Sequence, residues 1–166
     1  MIAARARDAA SMMQEWLSPL ARIGAAALVG AVIGWERQLR GRPAGLRTHM
    51  LVSLGAAVAV LTLSGASADS QSHAIQGVAT GIGFLCAGDI LHRVKAGDEH
   101  VKGLTSAAAL WVTSALGMAA ATGRWPVMVI GTVGTLLTLT IMRRLEQATP
   151  VLDDAKSDGP PSGGLG

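Results

Sequence analysis

The sequence predicts an all-α fold: a polytopic membrane protein with about five short transmembrane helices. Half of the 166 residues are hydrophobic, 21 are glycine and only 3% are aromatic, a composition too apolar and too poor in aromatic residues for an ordinary soluble domain. The apolar residues form continuous runs, whereas the strands of a membrane β-barrel alternate between apolar and polar residues. Short turns rich in arginine join the runs, as is typical of loops at one face of a membrane.

Five apolar runs qualify as spans, each close to the lower limit of about 17 residues that a helix needs to cross the hydrocarbon core. They cover approximately 20–35, 50–67, 75–91, 104–121 and 126–142. They define a membrane domain over residues 20–145. Residues 1–19 are less apolar, and we expect an N-terminal segment lying on the membrane surface as a short helix. Residues 146–166 are rich in proline, glycine and aspartate and are expected to form a disordered C-terminal tail.

The basic residues predict an orientation. The turn between the first two spans carries four arginines, and the turn between the third and fourth carries Arg93, Lys95 and Lys102, whereas the turn between the second and third has no arginine or lysine. Because positive charge marks the cytoplasmic side, this pattern places the N-terminus outside and the C-terminus in the cytoplasm. Arg5, Arg7 and Arg22, which lie before or at the start of the first span, run against the pattern.

The composition also bears on function. The net charge is +3, but the basic residues lie beside apolar runs without interleaved aromatic residues, so nucleic acid is not an expected partner. Cys86 is the single cysteine and lies inside an apolar run, which predicts a buried thiol that acts as a small hydrophobic group. The glycines at 81 and 83 lack the strand–helix context of a dinucleotide site, and other catalytic signatures are missing, so we expect no enzyme and no cofactor.

Small residues recur every fourth position in three of the spans. The pairs are Gly30 with Gly34, Gly77 with Gly81 and Ala115 with Ala119. This spacing lets helix backbones approach closely in lipid, where no hydrophobic force drives helices together. The contacts could lie within one chain or between two copies in a homodimer, and the sequence leaves both open.

The first candidate site is the turn after the first span. Glu36 ends that span and Arg47 begins the next, near the depth where an unpaired charge costs a few kcal/mol, so we expect the two to pair across the turn. Arg37, Arg40, Arg42 and His49 accompany them. Two interpretations stay open: an anchor that fixes topology and holds anionic lipid headgroups, or a functional site.

The second candidate site is Asp89 with His92, near the end of the third span. Their spacing places both on one helix face, where a carboxylate and an imidazole can bind one ion. With Glu36 they form the candidate metal ligands, and Mg²⁺ is the candidate ion. Alternatively, Asp89 reaches the membrane surface or pairs with Arg93 or Lys95, because it lies within one turn of the interface.

Three motifs, in this order, resemble the MgtC/SapB family. They are Gly34-Trp-Glu-Arg-Gln-Leu-Arg-Gly-Arg-Pro-Ala-Gly-Leu-Arg-Thr-His, Gly81-Ile-Gly-Phe-Leu-x-Ala-Gly and Val101-Lys-Gly-Leu-Thr-Ser-Ala-Ala-Ala-Leu-Trp. The resemblance covers about residues 20–142 and concerns the N-terminal membrane domain of the family. The functional positions that it implies are Glu36, Arg37, Arg40, Gly41, Arg42, Gly45, Arg47, Thr48, Gly81, Gly83, Phe84, Gly88, Gly103, Thr105 and Trp111.

The resemblance implies a multi-pass protein of the bacterial inner membrane that takes part in adaptation to low magnesium or in virulence. It implies a regulator of another membrane protein, such as the ATP synthase; the alternative is a transporter or channel for Mg²⁺ or another ion. Scarce intramembrane carboxylates and the absence of an evident inverted repeat favour the regulator. Cys86 and Asp89 depart from the family pattern, so the resemblance implies no role for either. Longer members carry a cytoplasmic domain that the tail here is too short to form.

Overall fold

The computed structural model describes residues 2–42, 44–94 and 103–148. These residues form five helices and no strand, which confirms the all-α prediction. The helices are α1 (Ile2–Leu39), α2 (Leu46–Leu61), α3 (Ala68–Val94), α4 (Leu104–Ala121) and α5 (Trp125–Ala148). The predicted disordered tail lies outside the described residues from residue 149 onward.

Some helix bounds differ from the apolar runs that predicted them. Helix α4 has the predicted bounds, but α1 continues through Pro19 without a break, so the structure has no separate surface helix before the first span. Helix α3 begins well before its apolar run because the Ser67 hydroxyl accepts a hydrogen bond from the Ser70 amide, at 3.2 Å, and caps the first turn. Hydropathy marks the part of a helix that can enter a membrane, whereas capping decides where the helix begins.

Two of the described helices are long and apolar enough to cross a membrane. They are Trp16–Leu39, within α1, and Leu104–Ala121, which is α4. The apolar segments Leu46–Leu61 and Trp125–Ile141 are shorter.

Helices α1, α2 and α4 form the centre of the fold, with α3 packed mainly on α4 and α5 packed on α4 and α1. The central contacts are made by small residues. A Cβ added at Gly30 of α1 would lie 2.6 Å from the carbonyl oxygen of His49, and one added at Gly117 of α4 would lie 2.3 Å from the carbonyl oxygen of Ser53. Only glycine leaves room for such close approach, so these helices meet backbone to backbone.

The chain runs up and down between two ends. We call the end with the last turn of α1 and the first turns of α2 and α4 the basic end; there, Ala44 packs with Cys86 and Ala107. At the opposite end, Arg22 of α1 donates a hydrogen bond to the carbonyl oxygen of Ala121, at 2.8 Å. Helices α1, α3 and α5 therefore run antiparallel to α2 and α4.

Candidate functional site

The candidate site at the basic end contains an ion pair between Glu36 and Arg40. The two residues are four positions apart, the spacing that brings side chains together on one side of a helix. Arg47, the partner predicted for Glu36, is exposed instead. The predicted pairing of Glu36 with Arg47 across the turn is therefore wrong. Helix α1 continues past Glu36 to Leu39, so Arg40, directly after the helix, is its partner.

Arg40 also joins α1 to α5. Its guanidinium donates hydrogen bonds to the carbonyl oxygen of Leu139, at 3.4 Å, and to the hydroxyl of Thr140, at 3.2 Å. The Arg40 side chain is 21% exposed and that of Glu36 is 13% exposed. Charge at this depth is tolerated because the carboxylate and the two oxygens of α5 surround the guanidinium.

Arg37 joins α1 to α4. Only 3% of the residue is exposed, and its guanidinium donates a hydrogen bond to the hydroxyl of Ser106, at 2.8 Å. Ser106 belongs to the third sequence motif and Arg37 to the first, so the fold brings these two motifs together. Ser106 was not among the predicted site residues; its place inside the third motif was the only sequence signal for it.

A glycine in the turn after α1 ends that helix. Gly41 has a φ of +62°, a left-handed conformation that glycine adopts without strain. The amide of Gly41 donates to the carbonyl oxygen of Gln38, at 3.0 Å, and that of Arg42 to the carbonyl oxygen of Arg37, at 3.1 Å, the bonding pattern of a Schellman cap. This geometry carries Arg42 outward, where it is exposed.

The turn ends where α2 begins. The amide of Leu46 donates to the side-chain oxygen of Gln38, at 3.2 Å, which ties the first turn of α2 to α1. Arg47 and Thr48 follow and are both exposed. They line a surface cavity of about 330 Å³ between the two helices.

The remaining motif positions are dispersed. No described atom lies within 4 Å of a Cβ added at Gly81, Gly83 or Gly88, and Phe84 is 81% exposed. Gly103 precedes α4 with a φ of +109°, while Thr105 and Trp111 are exposed on that helix. The structure therefore gathers the first motif and part of the third, but leaves the three glycines and Phe84 of the second motif away from them on α3.

Of the three predicted metal ligands, the structure describes the side chain of Glu36 alone, so the metal site stays a prediction. Glu36 is paired with Arg40, and the side chains of Asp89 and His92 lie outside the part that the structure describes. Among the described residues, no group of three histidine, cysteine, aspartate or glutamate side chains could hold a metal ion. Cys86 is buried, as predicted, and its thiol donates to the carbonyl oxygen of Ala107, at 3.1 Å.

Arg22 has a role that the sequence did not reveal. Its hydrogen bond to Ala121 satisfies a carbonyl at the C-terminal end of α4, where the helix dipole favours a cation. The added Cβ of Gly123, whose φ is +71°, would lie 3.5 Å from the same guanidinium. Arg22, one of the three arginines that run against the predicted orientation, thus has a structural reason for its position.

The five helices, which meet through glycine and hold their arginines with oxygens of neighbouring helices, form an α-helical bundle with two candidate membrane spans. The sequence profile of the MgtC family matches residues 23–148. The chain therefore belongs to the MgtC family, as the three motifs indicate. No solved structure gives a significant match.

Three relatives illustrate the similarity. Protein SrpB of Synechococcus elongatus is 46% identical over 144 residues, which cover 80% of this chain and 79% of SrpB. YhiD of Escherichia coli strain K12, a candidate magnesium transporter by its name, is 40% identical over 75% of this chain and 60% of YhiD. Protein MgtC of Salmonella typhimurium strain LT2 is 39% identical over 74% of this chain and 52% of MgtC. The chain thus spans little more than half of the length of YhiD and MgtC.

Proposed function

We propose that this protein is a multi-pass protein of the bacterial inner membrane that acts in adaptation to low magnesium by regulating another membrane protein. The N-terminus lies outside and the C-terminus in the cytoplasm, because the basic end carries the arginines of the first motif and positive charge favours the cytoplasmic side. The name of YhiD supports the magnesium theme. The resemblance suggests the ATP synthase as the regulated protein and virulence as one setting.

The observation that carries the regulator hypothesis is the division of the first motif into two sets of charges. Glu36, Arg37 and Arg40 are used in contacts within the bundle. Arg42 and Arg47 are exposed at the same end. The inner set stabilises the fold, while the outer set presents two guanidinium groups to an acidic segment of a partner protein.

The alternative function, transport of Mg²⁺ or another ion, is favoured by the name of YhiD and by the partly buried position of Glu36. Mg²⁺ prefers oxygen ligands and usually keeps several of its waters. A path through Glu36 would require its carboxylate to leave Arg40, and the guanidinium would then remain largely buried without its anion. This cost counts against transport by the arrangement described here.

Flux measurements distinguish the two functions. Purified protein in liposomes that contain a Mg²⁺-sensitive dye should give no more flux than empty liposomes. Flux that Glu36→Gln abolishes, in protein that keeps its helix content and thermal unfolding midpoint, would establish transport and contradict the regulator hypothesis.

A cell assay tests the outer set of charges. In a bacterium that lacks its own MgtC-family protein, the Arg42→Gln/Arg47→Gln variant should reach the membrane at the normal level but fail to restore growth at low magnesium. Arg124→Gln is the matched control, because Arg124 is also exposed but lies at the opposite end. Equal growth of both variants would show that the exposed arginines of the basic end do not act as proposed.

A further inference from the structure

Three polar side chains lie buried at the centre of the bundle, apart from the charges of the basic end. His49 and Ser53 of α2 are 0% exposed and Ser114 of α4 is 1% exposed. The Nε2 atom of His49 and the hydroxyl oxygens of both serines have no hydrogen-bond partner among the described residues. A polar atom that is buried without a partner destabilises the fold, so these three atoms require partners.

Helix geometry places the three side chains close to one another. Helices α2 and α4 run in the same direction, and Ser53 contacts Gly117, since a Cβ added at Gly117 would lie 2.9 Å from the Ser53 hydroxyl oxygen. One turn back toward the basic end, α2 carries His49 and α4 carries Ser114. His49 and Ser114 therefore lie at the same level of the bundle, with Ser53 one turn away on α2.

Helix α1 encloses the cluster. A Cβ added at Gly34 would lie 3.0 Å from the Cβ of His49, and one at Gly30 would contact the His49 backbone. The Nδ1 atom of His49 lies 3.0 Å from the carbonyl oxygen of Gly45. In the neutral imidazole this atom carries the proton, which leaves Nε2 as an acceptor directed away from that carbonyl.

We propose that His49, Ser53 and Ser114 form an internal hydration site that binds water between α1, α2 and α4. A buried water typically makes about three hydrogen bonds to otherwise unsatisfied groups. One water can donate to His49 Nε2 and exchange hydrogen bonds with the two serine hydroxyls, which gives every orphaned atom a partner. The three atoms without a partner thus equal in number the hydrogen bonds that one buried water typically makes.

The site is closed on one side. Beyond Ser53 and Gly117, toward the opposite end, the helices meet in a buried apolar cluster formed by Ala26, Ala57, Val60, Ala120 and Ala121. On the other side, Arg37 and Glu36 lie near enough to His49 to interact electrostatically. The proposed site thus lies between the charges of the basic end and this apolar cluster.

Solid-state NMR of the full chain in lipid bilayers tests the proposal. Replacement of His73, His92 and His100 by glutamine leaves His49 as the source of all histidine signals. Magnetisation from water should reach the imidazole of His49 several-fold faster than it reaches the backbone amide of Ala57, and the Nε2 signal should show a hydrogen-bonded acceptor. Transfer to His49 as slow as that to Ala57 would overturn the proposal.

Variants identify the ligands of the water. Ser53→Ala/Ser114→Ala should reduce the transfer to His49 to the rate seen for Ala57. Thr113→Val is the matched control, because Thr113 is also fully buried but its hydroxyl already donates to the carbonyl oxygen of Ala109, at 2.7 Å. Undiminished transfer in the serine variant, or equal loss in the control, would overturn the assignment. If the serine variant fails to fold, the comparison of His49 with Ala57 in the parent protein still decides.

Discussion

Gly30 and Gly34 of α1 differ from Gly77 and Gly81 of α3, although the sequence spaces both pairs alike. Gly30, Gly34 and Gly117 contact the backbone or Cβ atoms of α2, with added Cβ atoms 2.3–2.8 Å from their nearest neighbours. Gly77 and Gly81 of α3 have no described atom within 4 Å of an added Cβ. The same spacing of small residues therefore closes a helix contact in one region and leaves an open face in the other.

This difference shows that a small-residue motif allows a helix to pack closely against another helix but does not determine which helix that is. In α1 the close packing occurs within the chain, because α2 follows immediately and runs back along α1. In α3 the glycine face is open, and the homodimer that the sequence left open stays a prediction for this face. Substitutions at the two sets of glycines test this distinction.

The largest effect is expected for Gly117→Ala. The new methyl group would meet the carbonyl oxygen of Ser53, a backbone atom that cannot move without shifting α2, and such overpacking should destabilise the protein by about 3 kcal/mol. Unfolding by titration with a denaturing detergent measures the change. A variant as stable as the parent would show that the contact between α2 and α4 is looser than the structure has it.

A somewhat smaller loss, about 2 kcal/mol, is expected for Gly30→Ala, since its added Cβ would lie 2.6 Å from the His49 carbonyl oxygen. The same titration measures this loss. Gly24→Ala is the matched control in the same helix, because no described atom lies within 4 Å of its added Cβ. Equal stability of the two variants would contradict a tight contact between α1 and α2.

The Ser106→Ala variant compares the contribution of a polar contact to stability with the contributions of the glycine contacts. Loss of the hydroxyl that accepts the hydrogen bond from the buried Arg37 should cost about 1.5 kcal/mol. Thermal unfolding monitored by circular dichroism gives the change. If Ser106→Ala destabilises the protein more than Gly117→Ala does, the charge network, and not glycine packing, dominates the centre of the fold.

The smallest effect is expected for Gly77→Ala and Gly81→Ala. Neither should lower the stability, and each should raise it by at most about 1 kcal/mol, because the added methyl group meets open space and alanine favours the helix. Detergent titration at several protein concentrations provides the measurement. A loss of stability that depends on concentration would show that the α3 face is buried against a second copy.

Much of the fold could be predicted from the sequence. The bounds of α4, the buried Cys86 and the turn at Gly41 follow from local apolar runs and from turn chemistry, and three motifs sufficed to identify the MgtC family. The start of α3 and the continuity of α1 did not follow from hydropathy. Helical hydrogen bonding and the Ser67 cap extend helices beyond the apolar segments that predicted them.

The sequence by itself determined which segments are helical, where they turn and which residues are charged, because these properties depend on neighbouring residues. Only the tertiary structure decided the partners: Leu139 and Thr140 for Arg40, Ser106 for Arg37, and the backbone of α2 for Gly30 and Gly117. Partners are decided by which helix faces meet, and residues far apart in the chain contribute to each contact. Local sequence patterns therefore do not predict which helix faces meet.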